Sequence, residues 1–224
     1  MPEKEKTLSA AAAKSYYDHF GKKQDSQGFY EDPALNDLAQ NASMDKAQHV
    51  FEFGCGTGKF AARLFEIYLP STALYLGNDV SPVMVDLAKD RLKAYSDRAQ
   101  VVLSEGGVKF PLADESVDRV VSSYVLDLLS EEDIKKFFAE VYRVLKPGGL
   151  VCLAGLTKGI GVPSRIVSAL WSTVFRINPS IVGGCRPIRL ETFVDTAKWR
   201  VVYQHMVAPY GVPSEIMVLQ KPQN

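Results

Sequence analysis

Val50-Phe51-Glu52-Phe53-Gly54-Cys55-Gly56-Thr57-Gly58 is the stretch on which the reading of this chain turns. The apolar run His49 to Phe53 stops at glycines spaced G-x-G-x-G, and from Phe60 to Tyr68 apolar residues recur at helical spacing. A strand that becomes a helix through so tight a turn needs glycine, and the missing Cβ lets a ligand approach the backbone. Lys59 and Phe60 follow Gly58, so the spacing is not the G-x-G-x-x-G of a dinucleotide turn, and no G-x-x-x-x-G-K-[ST] phosphate loop is present. Glu52, two residues before the first glycine, puts negative charge beside the loop. That charge repels a pyrophosphate and attracts an ammonium or sulfonium group.

The pattern continues outward as an alternation. Ala73 to Gly77 reads as a second strand, and Ser81-Pro82 then opens a helix through Leu92. Serine at the N-cap accepts an orphan N–H, and proline at the first helical position has none to satisfy. Asp79, at the end of that second strand, stands where this architecture places an acceptor for a ribose diol. Gln100 to Leu103 and Arg119 to Tyr124 read as further strands. Ser130-Glu131-Glu132-Asp133 starts an acid-led helix that stops at Pro147-Gly148-Gly149, and Leu150 to Leu156 is a strand again. Strands alternating with amphipathic helices predict an α/β fold: right-handed βαβ units and a mostly parallel sheet with helices on both faces.

The ends differ from the middle. Residues 1 to 47 read as a helical cap segment, and 48 to 157 as the ligand-binding core. Within residues 158 to 198, Ser164 to Phe175 reads as a helix and Leu190 to Ala197 as another; residues 199 to 224 read as a strand pair at the sheet edge, all within one domain, 1 to 224. The chain has 224 residues, 46% of them hydrophobic and 23% charged, enough to bury a sizeable core without disulfides or metals. Lys plus Arg and Asp plus Glu are each 26. A balanced charge argues against whole-molecule affinity for nucleic acid or an anionic membrane and leaves room for a local basic patch. Cys55, Cys152 and Cys185 are far apart and in no C-x-x-C pair, and no two histidines share a metal-binding spacing, so neither a disulfide framework nor a metal site is expected. The charged start Met1 to Lys6 and the short apolar run Leu8 to Ala13 do not form a secretory leader, and no stretch reaches the length of a membrane span. The expectation is a cytoplasmic protein.

In four ordered places the chain resembles the class I S-adenosylmethionine-dependent methyltransferases, in particular the small-molecule branch of the type 11/25 kind with a single Rossmann-like domain. The matching segments are Glu52 to Gly58; Asn78-Asp79-Val80-Ser81-Pro82 with Met84; Pro111 to Asp118; and Arg143-Val144-Leu145-Lys146-Pro147-Gly148-Gly149. The resemblance implies a seven-stranded sheet with an antiparallel C-terminal strand, and S-adenosyl-L-methionine as cofactor with S-adenosyl-L-homocysteine as product. It implies that Gly54, Gly56 and Gly58, with Cys55 between them, line the methionine part, that Glu52 faces its amino group, and that Asp79 holds the ribose hydroxyls with Val80 and Ser81 beside the adenine. The acid that relatives place after the third strand is here Gly106, followed by Gly107, with Glu105 one residue early. The two glycines remain candidates for backbone passing the ring. Ser123 and Tyr124 end the fourth strand and should border the sulfonium region. An N-terminal helix closes over the cofactor in relatives, which makes Tyr17 a contact.

Methyl transfer from a sulfonium is an in-line displacement, and a base is needed only where the acceptor loses a proton. His19, Tyr124 and Asp127 are candidates, with Tyr17, Tyr203, His205 and Tyr210 behind them. Each has an ordinary structural alternative. Ile160, Val162, Ile166, Leu170, Trp171, Val174 and Phe175 make the 158 to 198 segment unusually apolar; Trp171 reads as pocket wall or core, and Arg186 as an anion ligand or an ion-pair partner. The acceptor expected is a small, partly apolar molecule, with its O, N, S or C atom open. Two rivals are an NAD(P)-dependent oxidoreductase on a related fold, which the glycine spacing, Glu52 and the lack of a Tyr-x-x-x-Lys dyad oppose, and a non-catalytic methyltransferase-like binding protein.

Overall fold

The computed structural model describes residue 7 and residues 9–223. The N-terminal leader reading, on residues 1–6 and Leu8, falls partly outside them. Seven strands form one sheet: β1 His49–Phe53, β2 Leu74–Asp79, β3 Ala99–Leu103, β4 Val117–Ser123, β5 Leu145–Leu156, β6 Arg200–Val207 and β7 Ser214–Gln220. Their order is β3-β2-β1-β4-β5-β7-β6. The pairs β1–β2, β2–β3, β1–β4 and β4–β5 are parallel, and β7 runs antiparallel between β5 and β6. The strand order reverses beside β1, the topological switch point where ligands of open α/β sheets collect.

Six α-helices accompany the sheet: α1 Ala10–Phe20, α2 Gly28–Asn41, α3 Lys59–Arg63, α4 Pro82–Arg91, α5 Glu131–Val144 and α6 Val162–Ile177. Period-two alternation along β1 divides the core between two faces. Phe51 and Phe53 point into the cluster that holds Phe110, Ile134 and Phe137 of the α5 side, with Phe53 and Phe137 ring centres 5.5 Å apart. Val50 packs on the opposite face with Leu64, Tyr75, Leu35 and Leu38. Glu52 is directed to that second face too, so its charge lies beneath the α2–α3 side.

Two boundaries differ from the sequence reading. The helix read over Leu190 to Ala197 is shorter, a single 3-10 turn over Leu190–Phe193. Asp195 Oδ1 accepts from Ala197 N at 3.0 Å, an Asx turn that stops helical propagation. The run Lys146-Pro147-Gly148-Gly149 lies inside the span of β5, because Leu145 already pairs with Val117. The helix ends without glycine because buried Lys221 donates its Nζ to the carbonyls of Tyr142 and Leu145 at 3.0 and 2.8 Å. The helix begun at Lys59 widens to a π turn over Leu64–Tyr68.

Candidate functional site

The glycine turn is built by hydrogen bonds from β1's end to β2's end. Gly54 N and Cys55 N donate to Asn78 O at 3.0 and 2.9 Å, and Gly56 N donates to Asp79 Oδ2 at 3.0 Å. Gly54, Gly56 and Gly58 all take positive φ, at 76°, 52° and 71°. The space around each differs. A Cβ on Gly54 would meet Val125 at 2.4 Å, and one on Gly58 would meet the backbone of Ala88 at 3.0 Å. A Cβ on Gly56 would meet no protein atom within 4 Å. Gly56 is therefore the open position of the turn, facing a cavity of about 300 Å³.

The acids flank that opening. Glu52 is buried, accepts from the Tyr75 hydroxyl at 2.6 Å, and burial with nearby Asp79 pushes its carboxyl up to about 8. Asp79 accepts from Gly56 N and, through Oδ1, from Ser81 N at 2.9 Å; burial also raises its pKa. Each Asp79 oxygen still has a lone pair to offer, which is what a vicinal diol requires. Ser81 caps α4, accepting from Met84 N at 3.2 Å, and donates its hydroxyl to Asp18 at 2.6 Å. Hydrogen bonds from Lys14 and Ser81 hold Asp18 below the usual carboxylate range. Arg91 pins the N-terminal segment a second time. It donates to Asp25 Oδ2 and Thr57 Oγ1 at 2.6 Å each, and Thr57 donates to Asp25 at 2.7 Å.

The tertiary structure gathers most of the sequence candidates on one wall. Tyr17, Glu52, Gly54, Cys55 and Gly56 line the cavity, as do Asp79, Val80, Gly107, Ser123 and Tyr124. Gly107, like Gly56, has a positive φ and open space where its Cβ would stand. Three candidates lie behind the lining. Gly58 gives α3 and α4 their close approach, Ser81 is spent as cap and tether, and Gly106 turns the chain by donating its N–H to Ser104 Oγ at 3.2 Å.

The catalytic candidates separate in the same way. His19 is exposed on α1, its ring bonded to Ser15 O at 2.7 Å, away from the cavity. Tyr124 lines the cavity with a φ of 55°, a rare conformation for a bulky residue, and its hydroxyl bonds Ser214 Oγ at 2.8 Å. Asp127 is buried just behind the lining. Its Oδ2 accepts from Leu156 N at 3.4 Å, its Oδ1 has no partner, and burial pushes its pKa up to about 7. Arg186 is a buried clamp, donating from its backbone to Asp127 O and from its guanidinium to Leu129 O. Tyr203 and His205 of the outer strand β6 both bond Asp37 of α2, and Tyr210 projects into solvent. Trp171 donates to Cys185 O at 2.9 Å and lies outside the lining.

Sequence reasoning missed Gln24, Asp25, Glu31, Asp32, Leu35 and Lys59, which come from the cap segment and the start of α3. Their signal was the aromatic and polar stretch Ser15 to Glu31, which the sheet itself does not need. Glu31 is pushed up to about 8 by burial, and Lys59 is held by both oxygens of Asp32 at 2.9 Å. The lining thus holds Asp25, Asp32, Asp79 and Asp133 against Lys59, with Glu31 and Glu52 largely protonated at neutrality and able to ionise, a setting suited to a cationic ligand. S-Adenosylmethionine, with its sulfonium and ammonium groups and its ribose diol, fits the open glycine turn, the acids and the two-armed Asp79.

Residues 50–149 match the family described as "Methyltransferase domain". An O-methyltransferase of Aspergillus nomiae, rstn1, is 25% identical over 166 residues, covering 68% of this chain and 71% of that protein. The chain spans 43% and 34% of two further relatives, an uncharacterized methyltransferase-like protein of Schizosaccharomyces pombe and an arsenite methyltransferase of Halobacterium salinarum. Among solved structures, the [4+2]-cyclase SpnF superposes with a TM-score of 0.73 at 18% identity over 97% of this chain and 98% of that one. The N-methyltransferase NodS of Bradyrhizobium japonicum, in complex with S-adenosyl-l-homocysteine, gives 0.64 at 17% identity over 86% and 88%. Over residues 50–149 the chain is thus similar to a methyltransferase domain, and it shares its fold with an N-methyltransferase solved in complex with S-adenosyl-l-homocysteine.

Proposed function

We propose that this protein transfers the methyl group of S-adenosylmethionine to a small, partly apolar acceptor by in-line displacement, through the residues gathered at the glycine turn. The observation that carries this reading is the cavity itself, acid-rich and bounded by Gly56 and Asp79 at one side and by Leu35, Tyr124, Leu128 and Leu129 elsewhere. Gly54, Cys55 and Gly56 receive the methionine chain, Glu52 its ammonium and Asp79 the ribose hydroxyls; Val80 and the Gly106–Gly107 backbone pass the adenine. Gly58 and Ser81 support this arrangement from behind, as close packing and as helix cap. Tyr17, Ser123 and Tyr124 border the reacting end.

The bound cofactor supplies an electrophilic methyl on a sulfonium. The chain's own work is to orient the acceptor and to keep water out. Where the acceptor must lose a proton, Glu31 is the base best placed, because it lines the cavity and its raised pKa lets it hold a proton near neutrality. The 224 residues act as one methyltransferase domain, with residues 1–47 as cover, 48–157 as cofactor core, 158–198 as substrate cap and 199–224 closing the sheet. A small-molecule acceptor rather than nucleic acid is supported by the balanced charge. Among the described residues no helix is long and apolar enough to cross a membrane, and free thiols accord with a cytoplasmic setting.

The test is parallel calorimetric titration with S-adenosylhomocysteine, S-adenosylmethionine and NADH, followed by methyl-transfer assays on an acceptor panel. The structural neighbour titled a cyclase makes that direct assay necessary. Binding of the first two with transfer to a small acceptor is the expected result. Binding of NADH alone would sink the reading, and cofactor binding without transfer to any acceptor would move it to a binding protein.

A further inference from the structure

The outward face of α6 is more aliphatic than its inward face. Buried Ser164 and Ser168 hold the helix to the preceding loop, Ser164 through Gly161 and Ser168 by accepting from Gly159 N at 3.1 Å. The opposite face carries Val162 at 71% exposed, Ile166 at 56%, Leu170 at 63% and Ile177 at 76%. These residues, spaced four, four and seven apart, fall on one side of the helix, a stripe about 22 Å long at 1.5 Å per residue. Exposed Ile160 and Ile181 extend it at both ends. Val167, Trp171 and Phe175 pack inward beside the serines, so the helix has an apolar residue set on each side, one against the core and one in solvent.

Charge decides what this stripe meets. Residues 157–190 contain Lys158, Arg165, Arg176, Arg186 and Arg189 and no aspartate or glutamate. Arg186 is buried, whereas Lys158, Arg165 and Arg176 are exposed. Arg165 and Arg176 stand about three turns apart and so flank the stripe on the same side. The chain as a whole is neutral, so this is a local cationic border around an aliphatic face. A second copy packed on the same face would bring like charges together with no acid in the segment to pair them. An anionic bilayer supplies both partners at once, headgroup charge for the arginines and acyl chains for the aliphatics.

We propose that α6 is an interfacial helix that lays the protein on an anionic lipid surface without crossing it. The loop after β6 packs on the core-facing side of α6: Gly211 approaches Val167, while Tyr210 is exposed with its ring 5.6 Å from Phe29. Phe29 adjoins Tyr30, whose ring meets cavity-lining Tyr124 at 5.8 Å. The assignment stands independently of which acceptor is methylated.

Flotation of the purified protein with vesicles of phosphatidylcholine alone, and of phosphatidylcholine mixed with phosphatidylglycerol, tests this. The wild-type chain should bind the mixed vesicles at least about tenfold more tightly, and added salt should weaken that binding. Ile166→Glu with Leu170→Glu should abolish it while S-adenosylhomocysteine titration stays unchanged. Arg165→Glu with Arg176→Glu, at exposed positions that leave the core intact, should remove the preference for phosphatidylglycerol. Absence of binding to mixed vesicles overturns the proposal. So does binding that both double variants leave untouched, or a dimer seen by sedimentation that the Ile166→Glu, Leu170→Glu pair dissolves in a protein that ignores vesicles.

Discussion

Asp79 does two structural jobs before any ligand arrives, fixing Gly56 N with one oxygen and Ser81 N with the other. A ribose diol would add two donors to a carboxylate that the backbone already holds in place. Asp79→Ala should therefore weaken S-adenosylhomocysteine binding by about 1–3 kcal/mol, since two hydroxyls lose a charged acceptor. Calorimetry on the folded variant checks it, and unchanged affinity would remove Asp79 from the site. Glu52 predicts a proton effect at the same scale. Its carboxyl stands at about 8 in the free protein. Pairing with a cationic ammonium should lower that pKa, so binding near pH 7 should release about one proton. The enthalpy measured in buffers of different ionisation heat reports the number released.

The elements meet at helix ends and strand ends rather than along their lengths. Ser81 illustrates it, because one hydroxyl both caps α4 and ties α1 to it through Asp18. Ser81→Ala should cost about 1–2 kcal/mol, the upper part of the range for an N-cap because the tether is lost as well. Urea unfolding measures that loss, and a cost within error of zero would mean that neither bond contributes. The Arg91–Asp25–Thr57 set is the second tether of the cap segment, joining α4, the residues before α2 and the glycine turn. Cover and cofactor loop are thereby held as one assembly.

For the whole molecule, stability and ligand affinity oppose each other through buried acids. Glu31 and Glu52 are raised to about 8 and Asp127 to about 7, each chiefly by burial. Between the unfolded carboxylate range near 4 and these values the native state holds more protons than the unfolded one. Stability is then fully present at the acid side of that window and declines as pH rises through 7 to 8. The unliganded protein should lose at least about 1 kcal/mol of stability between pH 5 and pH 8. Saturating S-adenosylmethionine should recover part of it, since its positive charge favours the ionised acids. Urea midpoints across pH, with and without ligand, measure both, and a midpoint that rises toward pH 8 would contradict the assignment.

The glycine turn, the acids at Glu52 and Asp79, and the alternation of strands with amphipathic helices were legible in the chain because each is a local pattern with a local cause. Period two in β1, an N-cap at Ser81 and acids opening α5 need no distant partner to be recognised, and they sufficed for the α/β class; the cofactor expectation came from the family resemblance of four motifs. The end of α5 was not legible, because the cation that satisfies its carbonyls, Lys221, arrives from beyond β7. The acids of the cap segment were also invisible, since Glu31 joins Glu52 and Asp79 only when α2 packs over the glycine turn. The direction of α6 was not legible either. Its sequence has apolar residues on nearly every side, and hydropathy alone sends such a helix into the core. Which face goes inward was decided by Val167, Trp171 and Phe175 packing on the core, by Gly159 N donating to Ser168 and by Trp171 reaching Cys185 O, contacts that exist only in three dimensions.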